Sequence, residues 1–238
     1  MANFPFQRLQ ADLSALILST PAGHRLVSEP ELAKQMGVSR ATLREAMRTF
    51  ETQGLIRRRQ GAGTFVVGKV PVIEAGLEVL ESLETMARRM NLKITVSDLY
   101  IEPVEADKET AQGLNVPEGT RLTRIRRVMC ADSRPVTYLI DTLPEEILKP
   151  DALADRFSGS VLDYLLSSNV NLRMSRAAIS ATNAPADVAK ALEIQRDDVL
   201  LQFTSQLYDF DGKVVDYSTS YFIPGYFHFH VNRRVGNN

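Results

Sequence analysis

A chain of 238 residues with 44% hydrophobic and 24% charged side chains is long enough for two modest domains. It has no apolar run near the roughly 20 residues that cross a bilayer. Gln10, Asp12 and Ser14 interrupt the N-terminal apolar stretch, which argues against export. The single cysteine, Cys130, excludes an internal disulfide and a multi-cysteine metal site, so a reducing cytoplasm is the expected location. The net charge of −1 hides an asymmetry: residues 1–69 carry ten Lys or Arg against five acids, a net of +5, and the remainder carries −6, so only the first part suits a polyanion.

In chain order, Leu9, Leu13, Leu16 and Ile17 recur at helical spacing over 6–19 and predict a first amphipathic helix that stops before Pro21. Ser28 followed three residues later by Glu31 is a capping-box pattern, with Pro30 in the first turn, where a missing N–H does no harm; it predicts a second helix over 29–36. Gly37 supplies a left-handed turn and Ser39 caps a third helix, on which Leu43, Ala46, Met47 and Phe50 share one face. Arg40, Ala41, Thr42, Arg44 and Arg48 must then face outward. After Gly54, a strand ending in Arg57-Arg58-Arg59, a turn at Gln60-Gly61-Ala62-Gly63 and a second strand from Thr64 predict a basic hairpin.

Residues 69–91 read as a linker with a probable helix, separating a first domain over 1–68 from a second over 92–238. In the second, strands are predicted over 122–130, 136–143, 176–182, 199–208, 214–222 and 227–231, with helices over 104–114, 160–167 and 185–192. Strands with interspersed helices and an Asp211-Gly212 hairpin turn specify an α+β domain on an antiparallel sheet.

A helix offered to the DNA major groove needs short side chains near its N-terminus and arginines for guanine edges and phosphates. Ser39, Arg40, Ala41, Thr42, Arg44 and Arg48 meet that need; Ser28 caps the preceding helix, and Arg58, Arg59, Gln60, Gly61, Gly63 and Thr64 form a wing that can approach a groove. These residues are the expected DNA-binding set.

The segments 26–33, 37–46 and 60–66, in that order, resemble the winged helix-turn-helix of the GntR family of transcription regulators, and the likeness covers residues 6–68. Two positions depart from the family pattern: Pro30 stands where an arginine that contacts DNA is usual, and Val27 replaces a proline. Segments 126–136, 159–165 and 211–218 resemble the UTRA effector domain of the HutC subfamily, which has a chorismate-lyase-like α+β fold. The resemblance implies a homodimer, a palindromic double-stranded operator, no cofactor, and release of DNA when a small metabolite binds. It also places Arg127, Met129, Ser160, Asp216 and Phe227 at effector-contacting positions, where arginine and serine suit an anion and the acid suits an amine or hydroxyl. Met129 stands where some relatives have a second cation, and Phe227 where sugar-sensing relatives have a tyrosine. A singly anionic, partly apolar or amine-bearing effector is therefore expected.

An enzyme of lyase-like fold fused to a DNA-binding domain is the rival reading, but no nucleophile motif, glycine-rich phosphate loop or paired-carboxylate signature supports it, and no catalytic residue is assigned. His228 and His230 fall on one face of a strand without an identifiable third ligand, so no metal is expected, and Cys130 reads as a small core residue. A purely architectural DNA binder would have no need of the long acidic second domain.

Overall fold

The computed structural model describes residues 4–59, 62–67, 72–153, 157 and 159–234. It divides into two compact units, one of Met1–Val72 with Ile223–Tyr226 and one of Ile73–Phe222 with Phe227–Asn238.

In the first unit, α1 (Phe4–Ser19), α2 (Glu29–Gln35) and α3 (Arg40–Thr52) precede a hairpin of β1 (Ile56–Arg59) and β2 (Gly63–Val66). Both expected caps form. Ser28 Oγ accepts the Glu31 amide at 3.4 Å and Ser39 Oγ accepts the Thr42 amide at 3.1 Å, each satisfying a backbone donor that a helix start leaves free. Leu9, Leu13 and Ile17 of α1 bury one stripe against Leu32 of α2 and Leu43, Ala46, Met47 and Phe50 of α3. Burying that stripe leaves Arg40, Ala41, Thr42, Arg44 and Arg48 exposed on the opposite face of α3.

The first unit also takes in Ile223–Tyr226. The Tyr226 ring covers Gly54, and Gly225, at φ +91°, is so close to the Gln53 carbonyl that a side chain has no room.

The second unit is built on a six-stranded antiparallel sheet in the order β4-β5-β6-β9-β8-β7. Its strands are β4 (Ile94–Glu105), β5 (Arg121–Ala131), β6 (Arg134–Pro144), β7 (Leu172–Asn183), β8 (Val199–Asp209) and β9 (Val214–Phe222). Helices α5 (Lys108–Leu114), α6 (Val161–Ser167) and α7 (Ala186–Ala191) fall between them, close to expectation except at α5. The helix expected from residue 104 starts only after Asp107, whose carboxylate caps it by accepting the Thr110 amide at 2.9 Å.

What precedes Asp107 is β4, which the sequence pattern does not show. Asp98, at φ +48°, sits in a register shift between Ser97 and Tyr100 that breaks the alternation, and Pro103 reads as a breaker although an edge strand tolerates it.

The expected linker is also structured. Within 69–91 lie β3 (Ile73–Gly76), which pairs in parallel with β10 (Phe227–His230), and α4 (Leu83–Arg89), capped by Ser82, so the second unit begins at Ile73.

Gly225→Ala should destabilise the first unit by about 1–3 kcal/mol, through backbone strain and the clash with Gln53. Native-state hydrogen exchange at the α3 amides should accelerate accordingly, and unchanged exchange would show that this contact is not formed in solution.

Candidate nucleic-acid interface and a buried charge cluster

The exposed face of α3 is pre-arranged by carboxylates. Arg44 Nε donates to Glu29 Oε2 at 2.7 Å while its side chain stays 57% exposed, so the acid fixes the base of the arginine and leaves its tip free. Arg58 is in a different situation. Its side chain is only 15% exposed, lies 3.4 Å from Glu29 and 3.7 Å from Glu51, and donates to the Arg44 carbonyl at 3.4 Å. The structure thus turns Arg58 inward, where it ties the wing to α2 and α3, rather than outward as the sequence reading had it.

Thr64 is likewise placed inward, 5% exposed, with its carbonyl accepting the Leu26 amide at 2.8 Å. Gly63 takes φ +106° beneath the side chain of Arg25, an exposed cation that no sequence motif singled out. Ser28 and Ser39 are exposed at the two helix starts, and the Ser39 and Thr42 hydroxyls lie 2.8 Å apart. Gln60 and Gly61, and the side chain of Arg59, lie outside the described residues.

In the second unit, strand register gathers charge at the middle of the sheet. Arg127 on β5 pairs with Leu139, two residues from Asp141 on β6, and Asp141 pairs with Ser218, two residues from Asp216 on β9; all three side chains therefore share one face. Arg127 Nη1 donates to Asp141 Oδ2, and the Thr142 amide donates to Asp216 Oδ1 at 3.2 Å.

Burial pushes the Asp216 carboxyl well above the usual carboxylate range, and the adjacent Asp141 pushes it further, while Arg127 opposes both. The Arg127 guanidinium also lies 5.7 Å from the centre of the Phe157 ring.

Two short helices meet beside this cluster. Ser160 caps α6 by accepting the Asp163 amide at 3.0 Å, and Ser82, the cap of α4, donates to Asp163 Oδ2 at 2.7 Å. Met129 is fully buried, and a side chain at Gly159 would meet Glu84 Oε1 at 2.8 Å and Met129 Cε at 3.8 Å. Burial raises the Glu84 carboxyl too, with Arg127 opposing and Asp163 and Asp141 adding to the rise.

Of the expected effector set, Arg127, Met129, Ser160 and Asp216 are brought to this region. The Phe227 ring packs instead on Phe222 and Phe229, 4.8 and 5.6 Å away between centres. Glu84 and Asp141 had no motif; the one signal was Asp141 as a lone acid in the strand predicted over 136–143. His228 and His230 do share an exposed face, with His228 Nδ1 2.9 Å from Glu74. Cys130 is buried, 3.5 Å from Ser97 Oγ.

Residues 5–66 match the model of bacterial regulatory proteins of the gntR family, and residues 89–228 match that of the UTRA domain. The chain belongs to the GntR family. It is 32% identical over 179 residues to the histidine utilization repressor of Klebsiella aerogenes, covering 74% of this chain and 72% of that one. It is also 26% identical to the transcriptional repressor NagR of Bacillus subtilis, over 82% of this chain and 79% of that protein. PhnF from Mycobacterium smegmatis shares its fold with a TM-score of 0.65 at 21% identity, covering 96% of this chain and all of that one.

This GntR-family chain is accordingly a DNA-binding transcription regulator of HutC type, with a winged helix-turn-helix ahead of a UTRA domain, and the relatives matched are themselves regulators. No helix among the described residues is long and apolar enough to cross a membrane.

The raised Asp216 carboxyl sets a pH dependence. Because its folded value exceeds its unfolded one, the stability it contributes is complete below about pH 4, the unfolded range, and is lost as pH rises through the folded value. Asp216→Asn, which imitates the protonated acid, should therefore gain melting temperature relative to the parent as pH rises from 4. Parallel melting curves across that range would show that Asp216 is ionised in the fold.

Proposed function

We propose that this regulator is a metabolite-responsive repressor, acting as a homodimer on a palindromic operator, and that a small effector bound at the buried cluster around Arg127 releases it from DNA. The observation that carries this reading is the division of labour: an exposed, basic helix face in one unit and a buried, charged, polar-lined cluster in the other. Relatives named as repressors support repression as the default sense of control. They also support binding without turnover, and a cytoplasmic place of action beside the DNA.

The operator contacts follow from α3. Arg40 and Arg44 reach base edges, Ala41 allows close approach, and Ser39, Thr42 and Arg48 take phosphates together with Ser28 and the wing. Arg58 and Thr64 support the wing from inside, and Arg25, over Gly63, joins Arg59, Gln60 and Gly61 as a wing contact. Pro30 caps the set by replacing a family DNA contact with a pre-shaped helix start. Dimerisation makes the operator two-fold. The long outer strand β7, exposed along nearly all of its length with Met174 and Ile179 on its surface, suits pairing with its symmetry mate.

Arg44→Ala should lose operator preference, with Arg40→Ala a smaller loss, since a good bidentate base contact contributes about 1–3 kcal/mol of discrimination. A competition gel shift against unrelated DNA, using an operator selected from a random pool, reads this directly. Equal preference in both variants would move the reading face off α3.

Operator affinity should also fall steeply with salt, by about 0.9 log units per log unit of salt for each phosphate contacted. A fluorescence anisotropy titration giving a flat salt profile would mean that the +5 charge of residues 1–69 does not face DNA.

A further inference from the structure

Glu84, on α4, was singled out by no motif, yet its Oε1 is buried without a hydrogen-bond partner. The neighbouring acids are each satisfied: Asp141 accepts from Arg127, Asp163 accepts from Ser82 at 2.7 Å, and Asp216 accepts the Thr142 amide at 3.2 Å. Arg127 has a matching deficit. Its side chain is 5% exposed, one arm of its fork is committed to Asp141, and its Nε is buried without an acceptor.

The two groups do not satisfy each other, since both atoms remain unpartnered in the same fold. A buried donor or acceptor left unmade costs stability, more so when charged, and Glu84 Oε1 and Met129, two residues from Arg127 on β5, both border the space beside Gly159. The balance of charge then selects the ligand. Asp141 accepts from Arg127, Asp216 shares the same sheet face, and Met129 adds no second cation. A dianion would find a single cation there, already shared with Asp141.

We infer that the effector is a small zwitterion, an amino acid or amine-bearing carboxylate, whose cationic nitrogen is received by Glu84 Oε1 and whose carboxylate is received by Arg127 Nε. This rests on the reading of the cluster as the effector site. A cation on the ligand pairs with the surplus carboxylate, and its own carboxylate completes the arginine fork that Asp141 half fills.

The test is a thermal-shift series on the full chain with the common α-amino acids, β-alanine and γ-aminobutyrate, each beside its desamino carboxylate, plus inorganic phosphate and methylammonium as anion-only and cation-only controls. At least one amino compound should raise the melting temperature by several degrees, as a ligand of the folded state must, and its desamino partner should do so far less. In Glu84→Gln that difference should vanish, while the free variant melts at or near the parent because Glu84 Oε1 makes no hydrogen bond that the substitution would break.

The inference is overturned if no amino compound outperforms its desamino partner, or if phosphate stabilises as well. It is also overturned if Glu84→Gln fails to fold or melts well below the parent, which would make Glu84 structural. Operator binding by the parent, measured alongside, separates the two claims: without it the regulator reading itself fails, and with it a negative series removes only the zwitterion.

Discussion

The UTRA unit holds at its centre a buried ion pair, Arg127 with Asp141, on neighbouring strands in the middle of the sheet. Removing two charges from water costs several kcal/mol each, and the loss is recovered only where geometry and extra hydrogen bonds are good. Here the registers of β5, β6 and β9 bring Asp216 onto the same face, where burial and the adjacent Asp141 push its carboxyl up. Replacing a buried ion pair by well-packed apolar side chains is often neutral or stabilising, and the unpartnered atoms of Glu84 and Arg127 add a further cost here.

The DNA-reading unit uses charge in the opposite way. Its arginines stand on a helix whose apolar stripe is fully buried, and its carboxylates serve to orient them. Glu29 takes one oxygen to Arg44 and the other toward Arg58, coupling the recognition helix and the wing through a single side chain. Such pre-ordering lowers the entropy lost when the face closes on DNA. Arg58, 3.4 and 3.7 Å from the Glu29 and Glu51 carboxylates, holds β1 to the helices.

On the proposed reading the two compact units hold separate ligands, and any coupling between DNA and effector must act equally in both directions. The structured segment from Ile73 to Arg89 matters for this, since α4 carries Glu84 and begins at Ser82, whose hydroxyl reaches Asp163 on α6.

The sequence by itself determined the elements whose signals are local. The caps at Ser28 and Ser39, the turn at Gly37 and the apolar period of α3 specify the helix-turn-helix, because capping and periodicity act over three or four residues. Five of the six main-sheet strands and two of the UTRA helices were legible for the same reason.

Tertiary structure decided the rest. Strand β4 exists because β5 pairs with it across a bulge at Asp98, β3 exists because β10 lies beside it, and neither has a local pattern strong enough to announce it. The inward turn of Arg58, the burial of Thr64 and the meeting of Glu84, Asp141 and Asp163 all join residues far apart in the chain. Partners at that range are chosen by packing and register, which no short window of sequence encodes.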